Sequence, residues 1–169
     1  MATIIQNLPF YETHTTVTVA DGESVVIKPR QIILWVSISK PDANDLPAGT
    51  PSFPAILDTG FNDSFLIQRQ HLLPWAGISA EALVVVDGLR VYGVDVPLLD
   101  ADVWLHANEP NSREADAASR PFRLELHGGV AVTELGTPRL PLLGMLALRR
   151  SGLRILIDCQ RCRVSIESP

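Results

Sequence analysis

The chain is short of most features that would assign it to a specialised class. Of its 169 residues only Cys159 and Cys162 are cysteine, too few for a disulfide framework. Lysine occurs only at Lys28 and Lys40, and the formal charge is −5, from 14 basic and 19 acidic residues. No basic face is therefore on offer to the phosphates of a nucleic acid. No apolar run approaches the roughly 18 residues of a membrane helix. Met1–Tyr11 lacks the basic start and apolar stretch of a secretory signal. A cytoplasmic protein that binds neither nucleic acid nor membrane is expected. The pair in Cys159-Gln160-Arg161-Cys162 has no second pair to complete a four-ligand zinc site. His14, His71, His106 and His127 fall at no ligand spacing, and G-x-S-x-G, P-loop and H-E-x-x-H patterns are all missing. No metal and no cofactor is expected.

What is present is strand. Thr15–Ala20 and Glu23–Lys28 flank Asp21-Gly22, a hairpin signal inside residues 1–30. That stretch reads as an N-terminal extension carrying an extra β-hairpin, ahead of a domain over 31–169. Gln31–Ser39 is a stronger strand, and the proline-broken loop Lys40–Pro54 leads through Ala55-Ile56-Leu57 to Asp58. Phe65–Ile67 resumes as strand, and Gln70–Ala76 allows a helical turn or two. Ala82–Val86 and Leu89–Val96 flank Asp87-Gly88, a second hairpin signal, and Asp102–Ala107 is another strand. Asn108–Pro121 reads as a mobile insertion loop. Phe122–His127 and Val130–Glu134 are expected to pair across Gly128-Gly129. Leu142–Arg150 is the best helix, ended by Gly152, and Arg154–Asp158 and Arg163–Ile166 are late strands. The class is all-β with one or two short helices, closing as a small barrel or a similar β-rich fold.

The chemistry-bearing feature is Asp58-Thr59-Gly60. Asp, Thr and Gly are ordinary turn residues. A carboxylate directly after a buried strand is less ordinary, because burial disfavours charge unless donors compensate. Thr59 offers a hydroxyl, and Gly60 allows close backbone approach.

The run Phe53-Pro54-Ala55-Ile56-Leu57-Asp58-Thr59-Gly60-Phe61-Asn62 resembles the active-site loop of retropepsin-like (clan AA) aspartic proteases, in particular the single-lobe bacterial and archaeal members. A second segment, Pro141-Leu142-Leu143-Gly144-Met145 with Leu148-Arg149 and Leu153–Asp158, is similar to the family's second signature. The resemblance covers about Ile32 to Ile166 and implies a closed β-barrel of the acid protease fold. It also places Gly144 beside the triplet loop, with the flap hairpin near Val84–Val96 and Asp87, Gly88 and Leu89 at or near its tip. Leu146 stands where such relatives often carry Asp, and the flap lacks the glycine-rich tip of the viral enzymes.

Aspartic-peptidase chemistry uses two carboxylates sharing one proton. Asp58 is the one candidate: Asp95, Asp100, Asp102 and Asp158 lack the Thr/Ser-Gly companion, and Asp87 sits in an expected turn. The resemblance thus implies a homodimer with an Asp58/Asp58 dyad, Thr59 bonding across it, and a peptide or protein substrate. The competing expectation is a catalytically silent module that keeps the fold for dimerisation or binding.

Overall fold

The computed structural model describes residues 1–169 as a β-rich body with two short helices. A nine-stranded sheet runs in the order β10 (Phe122–Leu124), β9 (Asp102–Leu105), β4 (Ile33–Ser39), β5 (Phe53–Asp58), β12 (Leu142–Gly144), β6 (Phe65–Gln68), β11 (Val130–Thr133), β8 (Val94–Leu99), β7 (Val85–Val91). A three-stranded sheet orders β1 (Ala2–Pro9), β14 (Arg163–Ser168) and β13 (Arg154–Asp158). β2 (Thr15–Thr18) and β3 (Ser24–Ile27) form a separate hairpin. The helices are α1 (Arg69–Ala76) and α2 (Met145–Arg150).

Burial explains the centre of the large sheet. β4 is buried at six of its seven positions and pairs with β5 on one side and β9 on the other, as a continuous apolar run requires. Its two serines are satisfied internally. Ser37 donates to the Pro51 carbonyl at 2.7 Å and contacts His106 Nε2 at 2.8 Å, and Ser39 Oγ accepts from Trp104 Nε1 at 2.9 Å. α1 tolerates Pro74 because the helix is short and ends at once in left-handed Gly77 (φ 70°), whose N–H bonds Leu73 O. Its His71 and Trp75 rings stack at 3.9 Å. Ile5, Leu8, Phe10, Val19, Val25 and Ile27 pack into the same core as Leu34, Phe53 and Trp75, so residues 1–30 share that core with the rest. Asn108–Pro121 is tied down: Arg113 O accepts from Trp35 Nε1, and the Arg113 guanidinium donates to Phe10 O and lies 4.1 Å over the Tyr11 ring.

Several expectations are corrected. The hydrogen-bonded ladder ends at β10 and β7 and does not close into a barrel. Phe122–Leu124 pairs with β9, whereas Val130–Thr133 pairs with β6 and β8, so the two do not form a hairpin. Gly128-Gly129 serves a close crossing instead: a Cβ on Gly129 would lie 2.2 Å from Leu99 O. Asp87-Gly88 is not a turn either. Asp87 pairs with Leu98 and Gly88 with Pro97 inside the ladder, and the chain reverses at Tyr92-Gly93, both left-handed (φ 50° and 79°). Leu142–Gly144 is strand, and the helix starts only at Met145. β1 was not anticipated at all; it pairs along β14.

Candidate active site

The triplet lies where the chain leaves β5. The strands joined by its loop, β5 and β6, are not neighbours. β12, from more than seventy residues downstream, is inserted between them, parallel to β5 and antiparallel to β6. This fixes the loop from both ends. Gly144 stands opposite Asp58 in the ladder, its N–H bonds Ser64 O at 3.0 Å, and the Met145 N–H reaches Phe61 O at 3.3 Å.

Gly144 has no freedom to be another residue. A Cβ there would lie 2.0 Å from Asp63 O and 2.7 Å from both Phe61 O and Phe61 Cδ1. The missing side chain is what lets the loop fold back over the end of β12.

Asp58 is partly buried, and Thr59 and Gly60 are exposed. Asp58 Oδ1 accepts the Gly60 N–H at 2.8 Å, and the Phe61 N–H turns back to Asp58 O at 3.2 Å. A Cβ on Gly60 would sit 3.3 Å from Oδ1, so glycine also keeps this contact open. Oδ2 makes no hydrogen bond within the chain, and the Thr59 hydroxyl makes none. The carboxylate is thus oriented by one backbone donor, and its other oxygen is unpartnered and not sealed from solvent.

The hairpin β7–β8 shares an apolar cluster with this loop. Leu66, Val91, Val96, Leu98, Ala131 and Leu142 form an apolar cluster apart from the main core, against which Ile56, Phe61 and Leu89 pack. Leu89 and the triplet loop's Phe61 thus pack on one cluster. Asp87 and Gly88 lie lower on β7, away from the tip, and are exposed. The residue at the tip is Tyr92, 71% exposed. Sequence reading passed over Tyr92-Gly93 because Asp-Gly is the stronger turn pair; the alternation Val91, Val94, Val96 around Tyr92-Gly93 was the available signal.

Three clefts of about 600, 470 and 460 Å³ are lined by other residues, and Asp58 is in none of them. No cluster of His, Cys, Asp or Glu is arranged to hold a metal ion, and no helix is long and apolar enough to cross a membrane. No protein-family model, no curated protein and no solved structure matches the chain.

Proposed function

We propose that the chain is one half of a homodimeric, retropepsin-like aspartic endopeptidase, with Asp58 of two copies forming the catalytic pair. The observation that carries this reading is Asp58 itself. It ends a buried strand, is held by the Gly60 N–H through one oxygen and is open at the other, on a loop that glycine at 144 allows to pack against the inserted β12. The resemblance around the triplet and around Gly144 concerns the two segments that meet there.

Chemistry follows from pairing. One carboxylate takes a proton from a water as its oxygen attacks the scissile carbonyl carbon. The other, protonated, gives its proton to the carbonyl oxygen. Collapse of the tetrahedral species returns a proton to the leaving nitrogen and breaks the C–N bond. A single carboxylate cannot fill both roles, and Asp58 has no second carboxylate bonded to it within the chain. Asp58 lines none of the clefts of about 460–600 Å³, as a cleft made between two copies would have it. An extended peptide lying there would pair its backbone with β7–β8. Ile56, Phe61 and Leu89 would offer apolar contact to its side chains.

The test is cleavage of a peptide library from pH 3.5 to 7.5, with and without a statine-type transition-state analogue. Hydrolysis lost in Asp58→Asn and blocked by the analogue supports the reading. An intact dimer that cleaves nothing across that range supports the silent dimerisation module instead, a reading favoured by the bulky Tyr92 at the hairpin tip.

A further inference from the structure

Four strands form the outer edges of the two larger sheets, and three of them are guarded. β10 is only three residues long. β7 carries an irregularity between Val85 and Asp87. β1 has two register shifts, and the Asn108 side chain occupies its outer edge, accepting from Gln6 N and donating to Gln6 O. Such devices are how sheets avoid unwanted pairing. β13 has none of them. It is five residues without glycine or proline, in unbroken register with β14, and nothing pairs with its other edge.

Its apolar residues are uncovered as well. Ile155 and Ile157 stand opposite Ile166 and Val164, which are fully buried, so they lie on the packed face of this sheet. Yet Ile157 is 42% exposed, and Leu156 on the other face is 43% exposed. The packed face runs past the edge that the chain itself provides.

The sequence of the strand matches itself in reverse. Arg154-Ile155-Leu156-Ile157-Asp158, run antiparallel to a copy of itself about Leu156, sets Leu156 against Leu156, Ile155 against Ile157 and Arg154 against Asp158. Within the chain, Arg154 already lies 3.8 Å from Glu167, and Asp158 pairs in register with Arg163. Joining two copies therefore produces a row Glu167, Arg154, Asp158, Arg163 that alternates in sign across the junction. A one-residue slip would turn the isoleucines to the wrong face and lose the charge match.

We infer that β13 is the edge through which two copies of this chain pair, antiparallel and centred on Leu156, making one six-stranded sheet. The inference rests on the proposed site in one respect: it names the partner that the site requires. The pairing is isologous, as a two-fold axis demands. α2, with its exposed Met145, is the segment that links Gly144 to β13 along the chain. Five paired residues alone fall short of the roughly 800 Å² per partner of a stable interface. Further surface must then join the contact, and the exposed triplet loop is the part that the proposed site requires.

Charge reversal in trans tests the register. Asp158→Arg and Arg154→Asp are made as separate chains, each checked for an intact fold by circular dichroism and measured by sedimentation. Each alone sets like charges against each other twice and is expected to dissociate at least about tenfold more readily than the wild type. Mixed one to one, every introduced charge meets its opposite, and a dimer with one chain of each kind is expected in native mass spectrometry. Wild-type dimerisation by both single variants, or a mixture that stays monomeric, overturns the pairing. Dimers and hydrolysis unaffected by either variant reject β13 and leave the proposed activity standing. Charge-dependent dimers from a wild-type chain that hydrolyses nothing support β13 and reject the activity.

Discussion

At the residue scale, Gly144 and Gly60 give the loop its shape and hold the Asp58 carboxylate in place. Gly144→Ala brings a methyl to 2.0 Å from a backbone oxygen that cannot step aside. Destabilisation at the upper end of the overpacking range, about 3 kcal/mol, is expected in denaturant titration. A loss below about 0.5 kcal/mol would show that the loop does not pack as described. Asp58→Asn is isosteric and keeps an oxygen to accept the Gly60 N–H, so stability should change by less than about 0.5 kcal/mol. Peptide hydrolysis should fall at least about 10³-fold if the residue is general base or acid in the proposed pair. The triplet and Gly144 were singled out through the resemblance of their two segments, whereas the bare pattern put Gly144 inside an expected helix over Leu142–Arg150. The clash that forbids a side chain at 144 comes from Phe61 and Asp63, some eighty positions away, and no window along the chain contains it.

Elements were legible where alternation and turn chemistry agree, as in β2–β3 across Asp21-Gly22. They were misread where a turn-like pair serves another purpose. Asp87-Gly88 lies inside a strand, with Asp87 Oδ1 accepting the Gly88 N–H at 2.8 Å; the Tyr92-Gly93 turn has a residue that seldom adopts positive φ. Tyr92→Asn should therefore stabilise the hairpin, and Gly93→Ala should cost about 1 kcal/mol, both readable from thermal melts. Equal stability of all three chains would contradict the turn assignment. Sheet order was illegible for a different reason: β12 enters between β5 and β6 through contacts far apart in sequence.

Two histidines set the acid limit of these elements. His106 is held below its ordinary value of 6.5 by burial, and His71 by burial chiefly, partly countered by Glu23 and Asp21. Ser37 gives its one hydroxyl proton to Pro51, so His106 Nε2 is the donor to Ser37, and burial favours the neutral form of the ring. A depressed histidine value means that the unfolded chain binds more protons below about pH 6.5. The stability these residues contribute is complete above that pH and falls as pH drops toward their folded values. Melting temperature should decline between pH 7 and 5, and less steeply in His106→Gln. A pH-independent melting temperature across that window would contradict this.

For the molecule as a whole, composition and strand pattern sufficed for an all-β class, and the open ladder from β10 to β7 replaces the expected closed barrel. In the proposed reading, the free edge at β13 and the unpartnered Oδ2 of Asp58 are both completed by a second copy of the chain. That claim is tested most directly by subunit mixing. Wild-type chain is combined with Asp58→Asn chain at varied ratios and fixed total concentration, allowed to exchange fully, and assayed for peptide hydrolysis. If each site needs Asp58 from two copies, activity follows the square of the wild-type fraction. Activity that falls in simple proportion to that fraction would mean each chain holds a whole site, and would contradict the account.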